Sequence, residues 1–218
     1  FALGGLAGSM QYAENLDSMK GIEIQSLSND EKSALLGALA SRIANAKALK
    51  KTMKDVFAET ASIVTDPQAT TGLLSECARR SPFETWDLAS SYLARIGEQS
   101  YHSVQQAAIS AMAQTNGERA LKQVLSLTPG EARADLFRVG ARSFLEANAQ
   151  GAASWINENQ AKLSTNDVDS IGTAVIRFSI KEGEFGNATR WLDKVKDTNL
   201  RNQLAGELDG ELRKKNKP

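Results

Sequence analysis

The side chains that most often carry catalysis are scarce in this chain, which has a single histidine and a single cysteine. A general base paired with a nucleophile would therefore have to use His102 or a carboxylate. His102 follows Tyr101 at the predicted start of a helix and has no partner motif beside it. We interpret His102 as a partly exposed histidine without a catalytic role.

Cys77 is the other candidate nucleophile, because Arg79 and Arg80 follow it closely and nearby arginines lower the pKa of a thiol. The residue also continues an apolar helical pattern with Leu73 and Leu74. A cysteine in such a pattern behaves as a small buried hydrophobe. We therefore predict a structural role for Cys77, and a single cysteine allows no disulfide within the chain.

Metal and nucleotide sites have recognisable spacings, which this sequence lacks. One histidine and one cysteine exclude the usual zinc ligand sets, and the Glu-x-x-His pairs of helical carboxylate sites do not occur. The sequence also has no G-x-x-x-x-G-K-[ST] phosphate loop, no G-x-G-x-x-G after a strand and no G-x-S-x-G elbow. We predict no metal, no cofactor and no enzymatic activity, with an unusual carboxylate-based hydrolase as the alternative.

The net charge gives no general attraction to nucleic acid or acidic membranes, because 26 lysines and arginines balance 26 aspartates and glutamates. One group of lysines has helical spacing, which would place these side chains on one side of a helix. Such a row could bind a polyanion or a membrane surface weakly, or it could simply be a solvated face. No aromatic residues interleave with these lysines, so nucleic acid is not an expected partner. This lysine stripe consists of Lys47, Lys50, Lys51 and Lys54.

The capping pattern shows where the helices that hold these residues begin. Every proline except the terminal Pro218 follows a helix-capping residue, and proline suits the first helical position. Ser81–Glu84 and Thr128–Glu131 have the spacing of capping boxes, and Ser28–Glu31 opens another helix without proline. No segment alternates apolar and polar residues over a strand's length, so we predict an all-α protein. No apolar run reaches the about 18 residues of a membrane helix.

A long N-terminal helix is predicted over 29–60. Its apolar seam would either form a homodimer or pack on the rest of the chain, since both bury the same stripe. Residues 1–27 are expected to be loosely ordered. Their apolar, glycine-rich opening from Phe1 fits either the tail of a removed export or anchor segment or an unstructured terminus. The sequence therefore leaves the compartment open between cytoplasmic and exported. The seam consists of Leu36, Leu39, Ile43, Ala46, Met53 and Phe57.

A short pattern repeats in the later helices: a small residue, two variable residues, a large residue and an aliphatic residue. The copies begin at Ala89, Ala120, Ala152 and Ala188, which are 31, 32 and 36 residues apart. A small residue lets two helices approach closely, and the aliphatic residue four positions later lies on the same face. Periods of this length are typical of helical solenoids. Helices are predicted at about 67–80, 82–96, 100–115, 118–127, 129–147, 151–160, 166–182, 186–196 and 199–214.

The segment 181–195 resembles the turn and second helix of a tetratricopeptide repeat (TPR), with Gly183, Glu184, Phe185 and Ala188 at the family's glycine, acidic, aromatic and small positions. The Trp, Leu, Gly and Tyr of the family's first helix are replaced in this unit. The resemblance implies a right-handed α-solenoid of antiparallel helix pairs, and a generic array of helical hairpins is the alternative. The implied units are 67–97, 98–128, 129–163 and 164–197, with a capping helix at 199–214.

The resemblance also implies a binding surface, because helical-repeat arrays line a concave face with the first helix of each pair. The residues that would lie there form a polar, mildly basic groove suited to an acidic or carboxylate-bearing peptide, or they are simply solvated. Arg177 and Lys181 share a helix face whatever the family, because they are four residues apart. The implied set is Gln105, Gln106, Arg138, Arg142, Thr173, Arg177 and Lys181.

Together these features predict a non-catalytic protein–protein interaction or scaffold module that binds a protein or peptide on its concave face. This prediction rests mainly on analogy between folds. One alternative is a helical enzyme or accessory domain that uses carboxylates, for which a compact pocket with paired carboxylates would be the sign. The other alternative is the polyanion or membrane-surface binder that uses the lysine stripe.

Overall fold

A computed structural model of the chain describes Leu16 and residues 24–215. The described residues form helices and turns without any strand, which confirms the all-α prediction for this part of the chain. The predicted loose order of residues 1–27 lies mostly outside the described residues. The α-helices are α1 (Asn29–Ala44), α2 (Met53–Ile63), α3 (Pro67–Arg80), α4 (Pro82–Ala89), α5 (Leu93–Leu125), α6 (Glu131–Asn159), α7 (Thr165–Lys181), α8 (Phe185–Leu192) and α9 (Thr198–Lys215). Short 3-10 helices lie at Ile24–Ser26, Ala46–Leu49, Ser90–Tyr92 and Gln160–Lys162.

The chain forms two compact units that divide between Ala108 and Ile109. Helices α1 to α4 belong to the first unit, α6 to α9 belong to the second, and α5 contributes residues to both. The division falls inside the predicted repeat unit 98–128 and not at one of its ends.

The core of the first unit is built where α1 packs on α2 and α3. Leu39, Ile43, Phe57 and Leu73 are completely buried there. The ring of Phe57 meets that of Tyr92 edge to face, with 4.7 Å between the ring centroids. The apolar seam therefore packs against other helices of the first unit. It is not an exposed surface, which the homodimer predicted through 29–60 would require.

The long helix predicted over 29–60 is wrong, because the chain interrupts it between Ala44 and Met53. Lys50 adopts a left-handed backbone conformation, with φ 55° and ψ 34°. Thr52 and Asp55 then form a capping box that opens α2, in which the Thr52 hydroxyl donates to the Asp55 carboxylate at 2.6 Å. The apolar seam continues across this break, which is why its periodicity alone predicted one helix.

The lysine stripe is not one face of a helix in the structure. Lys47 lies in the 3-10 helix, Lys50 and Lys51 in the turn after it, and Lys54 in the first turn of α2. Lys51 forms an ion pair with Glu59 of α2. The regular row of charges on which the polyanion alternative was based is therefore missing.

The second unit is a layer of helices in which α6 packs on α7, α7 packs on α8, and α9 contacts both α7 and α8. Leu204 and Leu208 of α9 are buried against Ile176, Ala188 and Val195. The apolar side of α9 thus closes this core at the place where the sequence predicted the last helix.

Glycine has two different roles in α5. The helices predicted at 100–115 and 118–127 are one helix, because Gly117 lies inside α5 and makes room for a ring of α6. A Cβ atom placed on Gly117 would lie 2.1 Å from the ring of Phe144. Gly97, in contrast, has φ 78°, a left-handed angle inside α5, at the place where a boundary between 96 and 100 was predicted. In α6, Asn148 has non-helical angles and makes the predicted break near 147–151.

The predicted capping boxes at Ser81–Glu84 and Thr128–Glu131 do not form, whereas Ser28–Glu31 does form one. The N–H of Ser81 donates to the carbonyl of Cys77 at 2.8 Å. Ser81 therefore ends α3 while it begins α4, and its N–H is already used. At the start of α6 the N-cap residue is Gly130 and not Thr128 as predicted. Glu131 is therefore the first helical residue and not the third.

The repeated alanines are completely buried at all four positions, as close helix approach requires. The aliphatic position that follows is less uniform, because Leu93 is exposed whereas Val124 is buried. The arrangement of the helices as a regular solenoid stays a prediction. The buried alanines are Ala89, Ala120, Ala152 and Ala188.

Candidate functional site

Five of the residues predicted to bind a partner line one pocket of the second unit, which has a volume of about 210 Å³. Arg138 and Arg142 come from α6, and Thr173, Arg177 and Lys181 come from α7. We call this cavity the basic pocket. Its full lining is Arg138, Arg142, Glu146, Thr173, Ala174, Arg177, Phe178 and Lys181.

The spacing of these residues along two packed helices brings them together. On α6 the pocket residues Arg138, Arg142 and Glu146 are each four apart, so they form one row. On α7 the same spacing aligns Thr173, Arg177 and Lys181. Because α6 packs on α7, both rows border the same cavity.

Gln105 and Gln106 are not part of this pocket, because both belong to the first unit. Gln105 is only 8% exposed, and its side-chain amide donates to the Tyr101 hydroxyl at 3.2 Å. The side chain of Gln106 contacts the Nε2 atom of His102 at 3.4 Å. The prediction that Gln105 lies on an open binding surface is therefore wrong.

Two of the basic side chains in the pocket already have carboxylate partners. Arg177 donates from Nε and Nη2 to both carboxylate oxygens of Glu207 on α9, at 2.9 and 2.8 Å. This hydrogen bonding lowers the pKa of Glu207 and raises that of Arg177. Arg138 is held by Asp135, one turn earlier on α6, with 3.1 Å between Nε and Oδ1. Both guanidinium groups are therefore oriented and partly neutralised.

Arg142 and Lys181 are exposed and form no ion pair with any other residue in the described part of the chain. The acidic group in the lining is Glu146, one turn beyond Arg142 on α6. Asp135 and Glu207, which lie outside the lining, offset Arg138 and Arg177. The charges that remain in the pocket are those of Arg142 and Lys181, against the single carboxylate of Glu146. An anion entering the pocket would meet these two groups first.

Thr173 forms part of the wall and is not an exposed polar contact as predicted. It is only 5% exposed, and its hydroxyl donates to the carbonyl of Asp169 at 2.9 Å. Ala174 and Phe178 add apolar surface to the same wall. The pocket thus combines a small apolar base with basic side chains at its edge.

A larger cavity of about 510 Å³ lies beside the basic pocket in the same unit, and the sequence did not predict it. We call it the apolar pocket. Leu145, Ile156, Val175, Phe178 and Trp191 provide its apolar walls, and Phe178 also lines the basic pocket. Its polar residues are Gln150, Asn157, Glu184, Asn187, Arg190 and Lys194. The signal available in the sequence was an aromatic residue, Trp191, with Arg190 before it and Lys194 three positions after it.

Four carboxylates border a third cavity of about 300 Å³, which was the sign expected for a carboxylate-based enzyme. Three of these carboxylates are already engaged in an ion pair or in hydrogen bonds with backbone N–H groups. Asp135 pairs with Arg138, Asp169 accepts the N–H groups of Lys196 and Asp197, and the Asp197 carboxylate accepts from the first turn of α9. Within the described residues, no group of histidine, cysteine and carboxylate side chains could hold a metal ion. The fourth carboxylate is that of Glu131.

Cys77 has the structural environment that the sequence predicted. It is completely buried, and desolvation raises the pKa of its thiol to about 12. Arg80 lowers this pKa, but its effect is smaller than that of burial. The thiolate form is therefore negligible at neutral pH, and Cys77 has no nucleophilic character in the folded protein.

Compared with protein-family models, with curated proteins and with solved structures, the chain gives no significant match. Within the described residues, no helix combines the length and apolar character required to span a membrane. The basic pocket therefore has to be interpreted from its own geometry.

Proposed function

We propose that this protein is a non-catalytic interaction module whose second unit binds carboxylate groups of an acidic peptide or protein segment. The observation that carries the proposal is the convergence of basic side chains from α6 and α7 on one small cavity. Arg142 and Lys181 supply positive charge that is not held in an ion pair with another described residue, and Glu146 is the one acidic residue of the lining. Arg138 and Arg177 lie beside them in fixed orientations.

The size of the basic pocket favours a carboxylate side chain over a whole small molecule. Pockets for drug-sized ligands have volumes of about 300–1,000 Å³, and the basic pocket has about 210 Å³. A carboxylate suits the planar guanidinium group of Arg142, which forms no ion pair with another described residue and can donate two parallel hydrogen bonds. The remainder of a bound peptide would lie outside this cavity.

The proposal includes a TPR-like arrangement of helix pairs in the second unit. The break at Asn148 divides α6 into two shorter helices, and α7 is followed by α8 after Gly183, whose φ is 74°. Two consecutive helix pairs of this kind support a repeat organisation. In that arrangement the basic pocket lies between the first helices of neighbouring pairs, where repeat proteins bind peptides.

The direct test is a titration of a fluorescein-labelled, glutamate-rich peptide, followed by fluorescence anisotropy. The wild-type protein should bind it, and binding should weaken as salt is added, because the contacts are between charges near the surface. The variant with Arg142→Glu and Lys181→Glu should lose at least about tenfold in affinity. A peptide with glutamine in place of glutamate should bind poorly.

The matched control is the variant with Lys122→Glu and Arg213→Glu. It changes the net charge equally, and both residues are exposed in the second unit outside the basic pocket. This control should bind the acidic peptide as the wild type does. Equal losses in both variants would indicate a net-charge effect, and an unchanged affinity of the pocket variant would overturn the proposed function.

A further inference from the structure

We infer that the apolar pocket is a second subsite of the same surface and holds one large apolar side chain of the acidic segment bound in the basic pocket. The inference rests on the proposed function, because the charge of the basic pocket defines the partner. It narrows that partner from any acidic segment to one in which acidic residues flank an aromatic or large aliphatic residue.

The two pockets are neighbours that share a wall. Phe178 lines both of them, and the adjacent residues Leu145 and Glu146 of α6 line the apolar and the basic pocket respectively. A peptide whose carboxylate lies near Arg142 or Lys181 therefore reaches the apolar pocket by passing Phe178. One extended segment of a few residues is sufficient for this path.

The walls of the apolar pocket suit a large apolar side chain. Ile156 and Val175 are buried, whereas Phe178 and Trp191 remain partly exposed to the cavity. The volume of about 510 Å³ leaves room for a side chain and the peptide backbone on either side of it. Partly exposed aromatic rings in such a cavity are typical of residues that anchor a partner.

Basic side chains also border the apolar pocket and would attract acidic groups, as those of the basic pocket would. Arg190 is exposed and forms no ion pair with another described residue. The Nζ atom of Lys194 lies 4.2 Å from the centre of the Trp191 ring, which holds this charge at the edge of the cavity. One acidic residue, Glu184, lies among them. Acidic residues on both sides of the apolar anchor are therefore favoured.

A polar contact for the peptide backbone is also available. The side-chain amide of Asn187 donates from Nδ2 to the Ser179 hydroxyl at 2.7 Å, which fixes its orientation. Its carbonyl oxygen accepts no hydrogen bond from another described residue. Asn187 lines the apolar pocket, so this oxygen is available to accept an N–H of an extended peptide.

The test compares three labelled peptides of equal length by fluorescence anisotropy: one with glutamates only, one with glutamates and a central phenylalanine, and one with serines and the same phenylalanine. The glutamate position is varied over one to four residues from the phenylalanine. The wild type should bind the best peptide with both features about tenfold or more tightly than the glutamate-only peptide. The serine peptide should bind weakly.

A variant that fills the apolar pocket separates the two subsites. Ala153 lines this pocket and is exposed, so Ala153→Trp occupies the cavity without disturbing the core. This variant should bind the glutamate-only peptide normally and lose the gain from phenylalanine. Its neighbour Ser154 is exposed and outside the pocket lining, so Ser154→Trp is the matched control and should retain the gain.

The outcomes distinguish this inference from the proposed function. If the glutamate-only peptide binds but phenylalanine adds nothing at any spacing, or if Ala153→Trp retains the gain, the second subsite is overturned and the proposed function stands. If the serine peptide with phenylalanine binds as tightly as the best glutamate peptide with phenylalanine, the anchor does not need acidic neighbours and the inference fails. If no glutamate peptide binds, both the inference and the proposed function are overturned.

Discussion

At the residue level, a buried ion pair between Arg133 and Asp167 joins the first turns of α6 and α7 in the second unit. Arg133 is 5% exposed and Asp167 is fully buried, with 3.2 Å between Arg133 Nε and Asp167 Oδ1. Arg133 also donates from Nη1 to the carbonyl of Leu127 at 2.9 Å, and Asp167 accepts the N–H of Ser164 at 2.8 Å. This pair therefore fixes the first turns of α6 and α7 relative to each other.

Replacing one partner of this pair should destabilise the protein strongly. Asp167→Asn leaves the Arg133 charge buried and uncompensated, so the free energy of unfolding should fall by about 3–5 kcal/mol. Urea unfolding followed by circular dichroism measures this loss. The exposed pair of Lys214 and Glu211 on α9 is the control, and Glu211→Gln should cost less than about 1 kcal/mol. Equal effects of the two substitutions would show that the buried pair contributes no more than a surface pair.

The carboxylate that restrains Arg177 provides a variant with tighter binding. Glu207→Gln removes the partner that offsets this guanidinium group, so the acidic peptide should bind about threefold to tenfold more tightly. Glu211→Gln is the control, because Glu211 pairs with Lys214 on the same helix and lies outside the lining of the basic pocket. Weaker binding by Glu207→Gln would indicate that Arg177 acts in binding only when Glu207 orients it.

The sequence predicted part of the basic pocket because its signal is local. Residues four apart on a helix share a face, which placed Arg177 with Lys181 and Arg138 with Arg142. The pairing of Arg177 with Glu207 could not be predicted in this way, because the partner lies 30 residues away on another helix. The burial of Thr173 and Gln105 also depends on how helices pack, which spacing on one helix does not describe.

For the secondary-structure elements, the sequence predicted helices more readily than the breaks between them. Apolar periodicity and proline positions indicated helices throughout, because both act within a few residues. The same periodicity continued through the turn at Lys50 and concealed the break between α1 and α2. The capping box of Thr52 and Asp55 was the local sign of that break, with the shorter carboxylate of aspartate in place of glutamate.

Gly117 tests the packing of α5 on α6. A Cβ atom there would overlap the Phe144 ring, so Gly117→Ala should lower the free energy of unfolding by about 1–3 kcal/mol despite the better helix propensity of alanine. Gly206→Ala in α9 is the matched control, because no atom lies within 4 Å of its added Cβ. That substitution should stabilise the protein by about 0.4–1 kcal/mol. Stabilisation by both alanines would contradict the close contact at Gly117.

At the scale of the whole molecule, the distribution of charge is more informative than its sum. The chain has no net charge, yet four basic residues and one acidic residue line the basic pocket. Composition alone therefore gave no general attraction to nucleic acid or acidic membranes, whereas the folded second unit concentrates basic side chains at one cavity. The division at Ala108 and Ile109 was not predicted, because it falls within α5, where the local helical pattern does not change.

We propose that the second unit recognises acidic segments through Arg142 and Lys181. The most direct measurement is selection from an unbiased displayed peptide library on the wild-type protein. The selected peptides are then tested for binding to two double variants. The pocket variant carries Arg142→Glu and Lys181→Glu, and the control variant carries Lys122→Glu and Arg213→Glu. We expect enriched peptides to be rich in aspartate and glutamate, to lose binding to the pocket variant and to keep binding to the control. Enrichment of peptides without acidic residues, no enrichment, or undiminished binding to the pocket variant would overturn the recognition of acidic segments by the basic pocket.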